Sequence, residues 1–192
     1  MEILLATNNL HKVREFKEML KELNFEVLSL SEFPAYIAPH ETGKTFAENA
    51  ELKALHAATT LSRVVIADDS GLVVPALKGA PGIYSRRYAG EKATDYENRK
   101  KLLSEMKEFD EQARAAYFEC CLCLATPEGI KKTISAKVEG QILTGERGNM
   151  GFGYDSLFKK YDMNKTFAEL PEHTKNRISH RRKALEKLIP YL

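Results

Sequence analysis

The stretch Val64-Val65-Ile66-Ala67-Asp68-Asp69-Ser70-Gly71-Leu72 decides how the chain is read. Its leading residues are small or β-branched and apolar, the composition of a strand buried on both faces. They run directly into two adjacent carboxylates. A core does not hold two ionised carboxylates without a large desolvation cost. Asp68 and Asp69 are therefore expected at the strand's C-terminal end, where Ser70-Gly71 opens a turn. In open α/β sheets that edge is where ligands bind. Paired carboxylates there suit a divalent cation held together with phosphates. A strand end with no function reads the same way in isolation, so the flanking segments carry the decision.

Upstream, Ile3 to Ala6 reads as a short apolar strand. The polar turn Thr7-Asn8-Asn9-Leu10-His11-Lys12 follows, then a helix with Val13, Phe16, Leu20 and Leu23 at helical spacing. Asn8 or Asn9 is a natural N-cap. Such a turn offers backbone N–H groups and a positive dipole end to an anion, and Lys12 adds a cation. Phe25 to Leu30 alternates as a second strand. The loop Ser31 to Lys44 carries Glu41, a metal ligand or a favourable charge ahead of a helix. Thr45-x-x-Glu48 is a capping box, opening a helix through Phe46, Ala50, Ala54, Ala57 and Leu61 with Lys53 in its interior. Gly43-Lys44-Thr45 resembles the tail of a phosphate-binding loop, but Ala38 stands where that motif needs glycine, which excludes it.

Downstream, Leu72-Val73-Val74 leads into the tight loop Gly79-Ala80-Pro81-Gly82. Tyr84, Arg86, Arg87 and Tyr88 interleave aromatic and cationic groups, as subunit contacts or base-stacking surfaces do. The contact or a loop-packing role is the preferred reading. Thr94-x-x-Glu97 caps a helix carrying Leu102, Leu103 and Met106. Ala113–Ala125 and Ile130–Val138, turned at Pro127-Glu128-Gly129, form a hairpin signal. This suggests a second, antiparallel-rich lobe of one domain. Gly148 to Asp155 is rich in glycine and aromatics. Its glycines permit close backbone approach to a ligand, Phe152 and Tyr154 offer flat faces, and Asp155 is an acceptor. At the C-terminus, Ile178, Leu185, Leu188 and Ile189 define a buried helix face. Ser179 as N-cap places His180 and Arg181 in the first turn, where basic residues oppose the dipole. A locally unfavourable placement of that kind often has a functional reason.

The bulk numbers agree with an ordinary globular chain. It has 192 residues and a formal net charge of +2, which points to neither nucleic acid nor membrane as a partner. No apolar run approaches the roughly 20 residues of a membrane span, and Met1-Glu2-Ile3 lacks the basic start of a signal peptide. Cys120, Cys121 and Cys123 crowd one strand and are expected as packed thiols in a reducing cytoplasm.

Taken together, five separated segments closely resemble the inosine triphosphate pyrophosphatase family. They are Thr7-x-Asn9-x-x-Lys12; Glu41-Thr42-Gly43 through Phe46-x-Glu48-Asn49-Ala50 and Lys53; Ala67 to Leu72 with Gly79 to Ser85; and Gly151-Phe152-Gly153-Tyr154-Asp155, completed by Ile178-Ser179-His180-Arg181. Ser156 and Arg182 depart from the family, which usually has proline and glycine there. The resemblance implies an α/β fold, elongated and two-lobed, with a central mixed β-sheet flanked by helices and a cleft between the lobes. It implies one domain over residues 1–192, a homodimer, and Mg²⁺-dependent hydrolysis of ITP, dITP and XTP to monophosphate and pyrophosphate.

The resemblance also assigns Asp69 as proton acceptor and the turn from Thr7 through Asn8, Asn9, Leu10 and His11 to Lys12 as a triphosphate cradle. Lys53 and Ser70 join the substrate site. Glu41 and Asp69, with Asp68, are the candidate metal ligands. An arginine fork matches the 6-oxo group and N7 of an oxidised purine and opposes the 6-amino group of adenine. Arg181 and His180 are the candidates for that role. Phe152 is expected to stack on the ring, with Gly153, Tyr154, Asp155 and Lys175 near the base or sugar. Two alternatives stay open: a pyrophosphatase of modified pyrimidine nucleotides, and a non-catalytic module binding nucleotide or RNA. Paired carboxylates beside a cation cradle argue against the latter, since they repel polyanions.

Overall fold

A computed structural model describes residues 2–192, Glu22 by its backbone alone. It contains strands β1 (Glu2–Leu5), β2 (Glu26–Ser29), β3 (Val65–Val73), β4 (Ala115–Thr126), β5 (Gly129–Ile142) and β6 (Phe158–Lys160). The helices are α1 (Leu10–Leu20), α2 (Phe46–Leu61), α3 (Asp95–Glu105), α4 (Glu172–Ile178) and α5 (His180–Leu188). The strands form one six-stranded sheet in the order β2-β1-β3-β4-β5-β6. Strand β1 pairs parallel with β2 (Ile3 beside Val27) and with β3 (Leu5 beside Ile66), whereas β5 and β6 are antiparallel. The fold is α/β with a mixed sheet and flanking helices, as the resemblance implied. Among the described residues no helix is long and apolar enough to cross a membrane.

The chain divides into two compact units. One comprises Met1–Asp69, Cys120–Ala136 and Arg181–Leu192; the other comprises Ser70–Glu119 and Lys137–His180. The core of the first gathers Ile3, Leu5 and Ile66 with Phe16, Met19 and Leu20 of α1 and with Ala184, Leu185 and Leu188 of α5. Helix α2 buries an alanine stripe, Ala50, Ala54, Ala57 and Ala58. The core of the second gathers Leu72, Leu102, Met106 and Val138 around Phe118, Phe158 and Phe167. The three cysteines are buried and outside any disulfide, as expected of packed thiols.

Two readings are corrected. First, β3 does not end before the carboxylates: it runs from Val65 to Val73 through both. The expectation rested on desolvation cost, which the structure meets with partners instead of exposure. Second, the Thr45 box is half formed. Thr45 Oγ1 accepts the Glu48 N–H at 3.1 Å, but the Glu48 carboxylate turns outward to the Lys44 N–H at 2.6 Å. Ser179 holds the N-cap position of α5 with extended backbone, as read, and His180 and Arg181 fall in the first turn; a short helix, α4, ends just before it. The caps at Asn9 and Thr94 form as read: Asn9 accepts from the His11 and Lys12 N–H groups, and the Thr94–Glu97 box is complete.

Candidate active site

Adjacent residues on a strand point to opposite faces, and β3 uses this to give its two carboxylates separate surroundings. Asp68 is 3 % exposed. Its carboxylate accepts from Lys12 Nζ, from Arg181 Nε at 2.8 Å and from the Cys120 thiol at 3.2 Å. Arg181, 1 % exposed, also binds Glu15 through Nη1. Burial alone would push the Asp68 carboxyl up, but Arg181 and Lys12 outweigh it and hold it well below the usual carboxylate range. The resulting row Glu15–Arg181–Asp68–Lys12 alternates in sign. It explains the arginine in the first turn of α5: Arg181 faces carboxylates from β3 and α1.

A prediction follows from the sign of that shift. A depressed folded-state pKa contributes stability that is full above the unfolded value of about 3.9 and is lost as pH falls through the folded value. Urea midpoints measured across pH 2–7 should drop below about pH 4. In Asp68→Asn the protein should start less stable at neutral pH and show a flatter acid limb.

Asp69, 8 % exposed, faces α2. Lys53 Nζ donates to Asp69 Oδ1 at 2.7 Å, to Glu41 Oε1 at 3.0 Å and to the Asp68 carbonyl at 2.9 Å. Asn49, one helical turn before Lys53, offers its amide to Asp69 Oδ2 at 3.4 Å and accepts the Gly43 N–H at 2.8 Å. A side chain at Gly43 would stand 2.5 Å from Asn49 Oδ1, so this contact of loop and helix demands glycine. Burial raises the Asp69 carboxyl above its ordinary value and Glu41 adds to it; Lys53 and Lys12 lower it without cancelling the rise. Asp69 is thus a carboxylate moved toward neutrality, the direction that suits a base working at physiological pH.

In the turn after β1, Thr7 Oγ1 accepts the Asn9 N–H at 3.1 Å, and Asn9 Oδ1 accepts the His11 N–H at 3.0 Å and the Lys12 N–H at 3.2 Å. Asn8 and Leu10 are exposed beside them. The turn is ordered by its own side chains, and Lys12 sits at the start of α1 with its ammonium on Asp68.

The second unit holds another group. Lys175 of α4 is buried, with Nζ 2.5 Å from Asp155 Oδ2 and 4.6 Å from the centre of the Phe152 ring. Asp155 Oδ2 also accepts the Phe152 N–H at 3.0 Å, and a side chain at Gly151 would lie 2.1 Å from that oxygen. Tyr154 is buried and donates its hydroxyl to the Ser85 carbonyl at 2.8 Å. Its face belongs to the core. His180 stacks on Phe118 with ring centres 4.8 Å apart. Ser85, in the loop after Gly82, accepts the Leu72 N–H at 2.9 Å and so ties the end of β3 to that loop.

The Ham1 family model matches residues 3–191. The chain belongs to the Ham1 family. It is 61 % identical over 194 residues to a protein of Protochlamydia amoebophila named dITP/XTP pyrophosphatase, covering 100 % of this chain and 98 % of that one. It is 53 % identical to the protein of the same name from Chlamydia abortus, covering 100 % and 94 %. The structure of the Staphylococcus aureus Ham1 protein superposes with a TM-score of 0.88 at 42 % identity, covering 100 % of this chain and 97 % of that one. The resemblance drawn from the motifs is therefore borne out at the level of the family.

For this Ham1 chain, the structure brings Glu41, Lys53 and Asp69 together, and separately Lys12, Asp68 and Arg181. It sets Asp68 apart from the other two candidate metal ligands. Among the described residues no group of three or more His, Cys, Asp or Glu side chains stands ready for a metal. Mg²⁺ does not require one: it commonly takes one or two carboxylates and completes its shell with water and substrate phosphates. Glu41 and Asp69 meet on one cation and supply hard oxygen donors, so the residues present fit the ion. Sequence reading gave no site role to Glu15, Asn49 or Cys120. Asn49 was accessible, because residues 49 and 53 lie one turn apart on the same helix face.

Proposed function

We propose that the chain hydrolyses non-standard purine nucleoside triphosphates, namely ITP, dITP and XTP, to the monophosphate and pyrophosphate. The observation that carries this reading is Asp69: a buried carboxylate, raised in pKa, braced by Lys53 and Asn49 at the middle of β3. Family membership and the name of the 61 %-identical relative agree with it.

In this reading a water attacks the α-phosphorus and the bond to the bridging oxygen breaks, releasing pyrophosphate. Asp69 accepts the proton from the attacking water. Lys53 holds that carboxylate in place and offers positive charge beside it. Lys12, at the head of α1, faces the phosphate tail, where negative charge accumulates on the leaving group. Mg²⁺, which Glu41 and Asp69 would hold, supplies further charge neutralisation to the phosphates when bound.

The base is assigned to the second unit. Phe152 stacks on it, and Asp155 and Lys175 address its edge or the sugar. Arg181 and His180 were the candidates for reading the 6-oxo group. The guanidinium is committed to Asp68 and Glu15, so that role requires it to exchange a carboxylate for the base. The reading also places the chain in the cytoplasm as a homodimer. A panel of triphosphates, assayed for phosphate after added inorganic pyrophosphatase, tests the whole. Turnover of dITP, ITP and XTP well above dATP and dTTP, lost on removing Mg²⁺, is expected. Turnover of modified pyrimidine nucleotides instead, or none together with salt-sensitive RNA binding, would replace this reading with one of its rivals.

A further inference from the structure

The segment 148–155 is conformationally loose by composition. Gly148, Gly151 and Gly153 sit at φ values of 81°, 74° and 60°, where glycine has its widest freedom. It nevertheless carries Phe152, and a ring binds a flat partner well when its plane is set in advance, since ordering it on binding costs affinity. Some of the ordering is internal or comes from nearby backbone: Phe152 N–H on Asp155, and Met150 N–H on the Ala168 carbonyl at 3.0 Å.

The residue after Phe152 is held from another element. Gly153 donates its N–H to Asp95 Oδ2 at 2.7 Å, and its carbonyl accepts from Arg99 Nη1 at 3.0 Å. Asp95 and Arg99 lie one turn apart on α3 and so face the same way. One supplies the acceptor and the other the donor, and together they grip both backbone groups of a single residue. Helix α3 is itself anchored. Its N-terminus carries the complete Thr94–Glu97 box, and buried Asn98 accepts the Ala89 N–H and donates to the Arg86 carbonyl, both at 2.8 Å. Arg99 is steadied in turn: its Nε donates to Glu146 Oε2 at 2.9 Å, and the Ser156 hydroxyl donates to the same oxygen at 3.0 Å. A proline at 156 would have no such donor.

We propose that Asp95 and Arg99 are positioning residues for base selection: by clamping both backbone groups of Gly153 they fix the plane of the Phe152 ring beside Lys175 and so set the affinity for the purine. The inference rests on the proposed function, in which Phe152, Asp155 and Lys175 receive the base. Asp95→Ala and Arg99→Leu each remove one jaw, whereas Asp95→Asn keeps an acceptor oxygen. Hydrogen exchange over residues 148–155, without nucleotide, reads the clamp; steady-state kinetics on dITP read its consequence. In Asp95→Ala and Arg99→Leu, exchange should accelerate and KM should rise about 3–10-fold, the worth of one hydrogen bond, with kcat changed less than about twofold. Asp95→Asn should restore both. Unchanged exchange overturns the clamp. Faster exchange with unchanged KM overturns the base site at Phe152 and the proposal with it. A joint fall of kcat and melting temperature that Asp95→Asn does not rescue assigns α3 a merely structural part and overturns it as well.

Discussion

Asp69→Asn should lower kcat for dITP by about 10²–10⁴-fold, the range for losing a positioned general base, and should leave the protein folded. The substitution keeps shape and volume and removes the ability to take a proton. Its effect on stability has a definite sign. Burial has raised the Asp69 carboxyl, and Lys53 only partly offsets that. A group whose folded pKa is raised is less comfortable ionised in the folded chain than in the unfolded one, so its charge at neutral pH works against folding. Asparagine resembles the protonated form. Lys53 keeps Glu41 and the Asp68 carbonyl. The melting temperature should therefore equal or exceed that of the parent while turnover is abolished, a pairing expected where function holds a group in an unfavourable state. Calorimetric titration of the inactive variant with dITP separates two roles. Retained affinity marks Asp69 as the base. Lost affinity with an intact melting transition makes it chiefly a metal anchor.

Local pattern carried most of the fold and the outline of the site. Helix caps at Asn9 and Thr94, the hairpin at Pro127-Glu128-Gly129 and the apolar start of β3 at Val65 to Ala67 all have short-range signatures: a hydroxyl or amide before an apolar period, a turn pair between β runs, a β-branched run. Asp69, Lys53 and Glu41 were legible because their motif neighbours were. What stayed hidden were partners distant in sequence. Nothing near Asp68 announces that Arg181, from the far end of the chain, and Lys12, from its start, will make a buried strand interior tolerable to a carboxylate. The same holds for Arg114, whose buried guanidinium is satisfied by the carbonyls of Met106, Ile142 and Leu143 at 2.7–2.8 Å. Desolvation argued the carboxylates out of the strand because single residues were weighed, and compensation is a property of pairs.

Arg181→Ala should cost about 3–5 kcal/mol of stability, the toll of breaking a buried ion pair from one side. The guanidinium stands between two carboxylates, Asp68 at 2.8 Å and Glu15. Deleting it leaves both in a site where Asp68 is 3 % exposed and Glu15 4 % exposed. Two like charges then face each other, with Lys12 still on Asp68, and a void replaces one of the largest fully buried side chains of the chain. Arg181→Lys should recover part of the loss, since an ammonium is a single point and cannot reach along both carboxylates as a planar fork does. Removing the charges as a set should be milder than removing the arginine alone: in a double-mutant cycle, Glu15→Gln should soften Arg181→Met, giving a coupling energy within about 0.5–3 kcal/mol. Additive losses would show that Glu15 contributes nothing to stability through Arg181. The folded Arg181→Lys variant then tests base reading. A dITP-over-dATP preference equal to the parent's would confine Arg181 to the Asp68 row, whereas an eroded preference with little change in kcat on dITP would show that the guanidinium leaves a carboxylate to meet the purine.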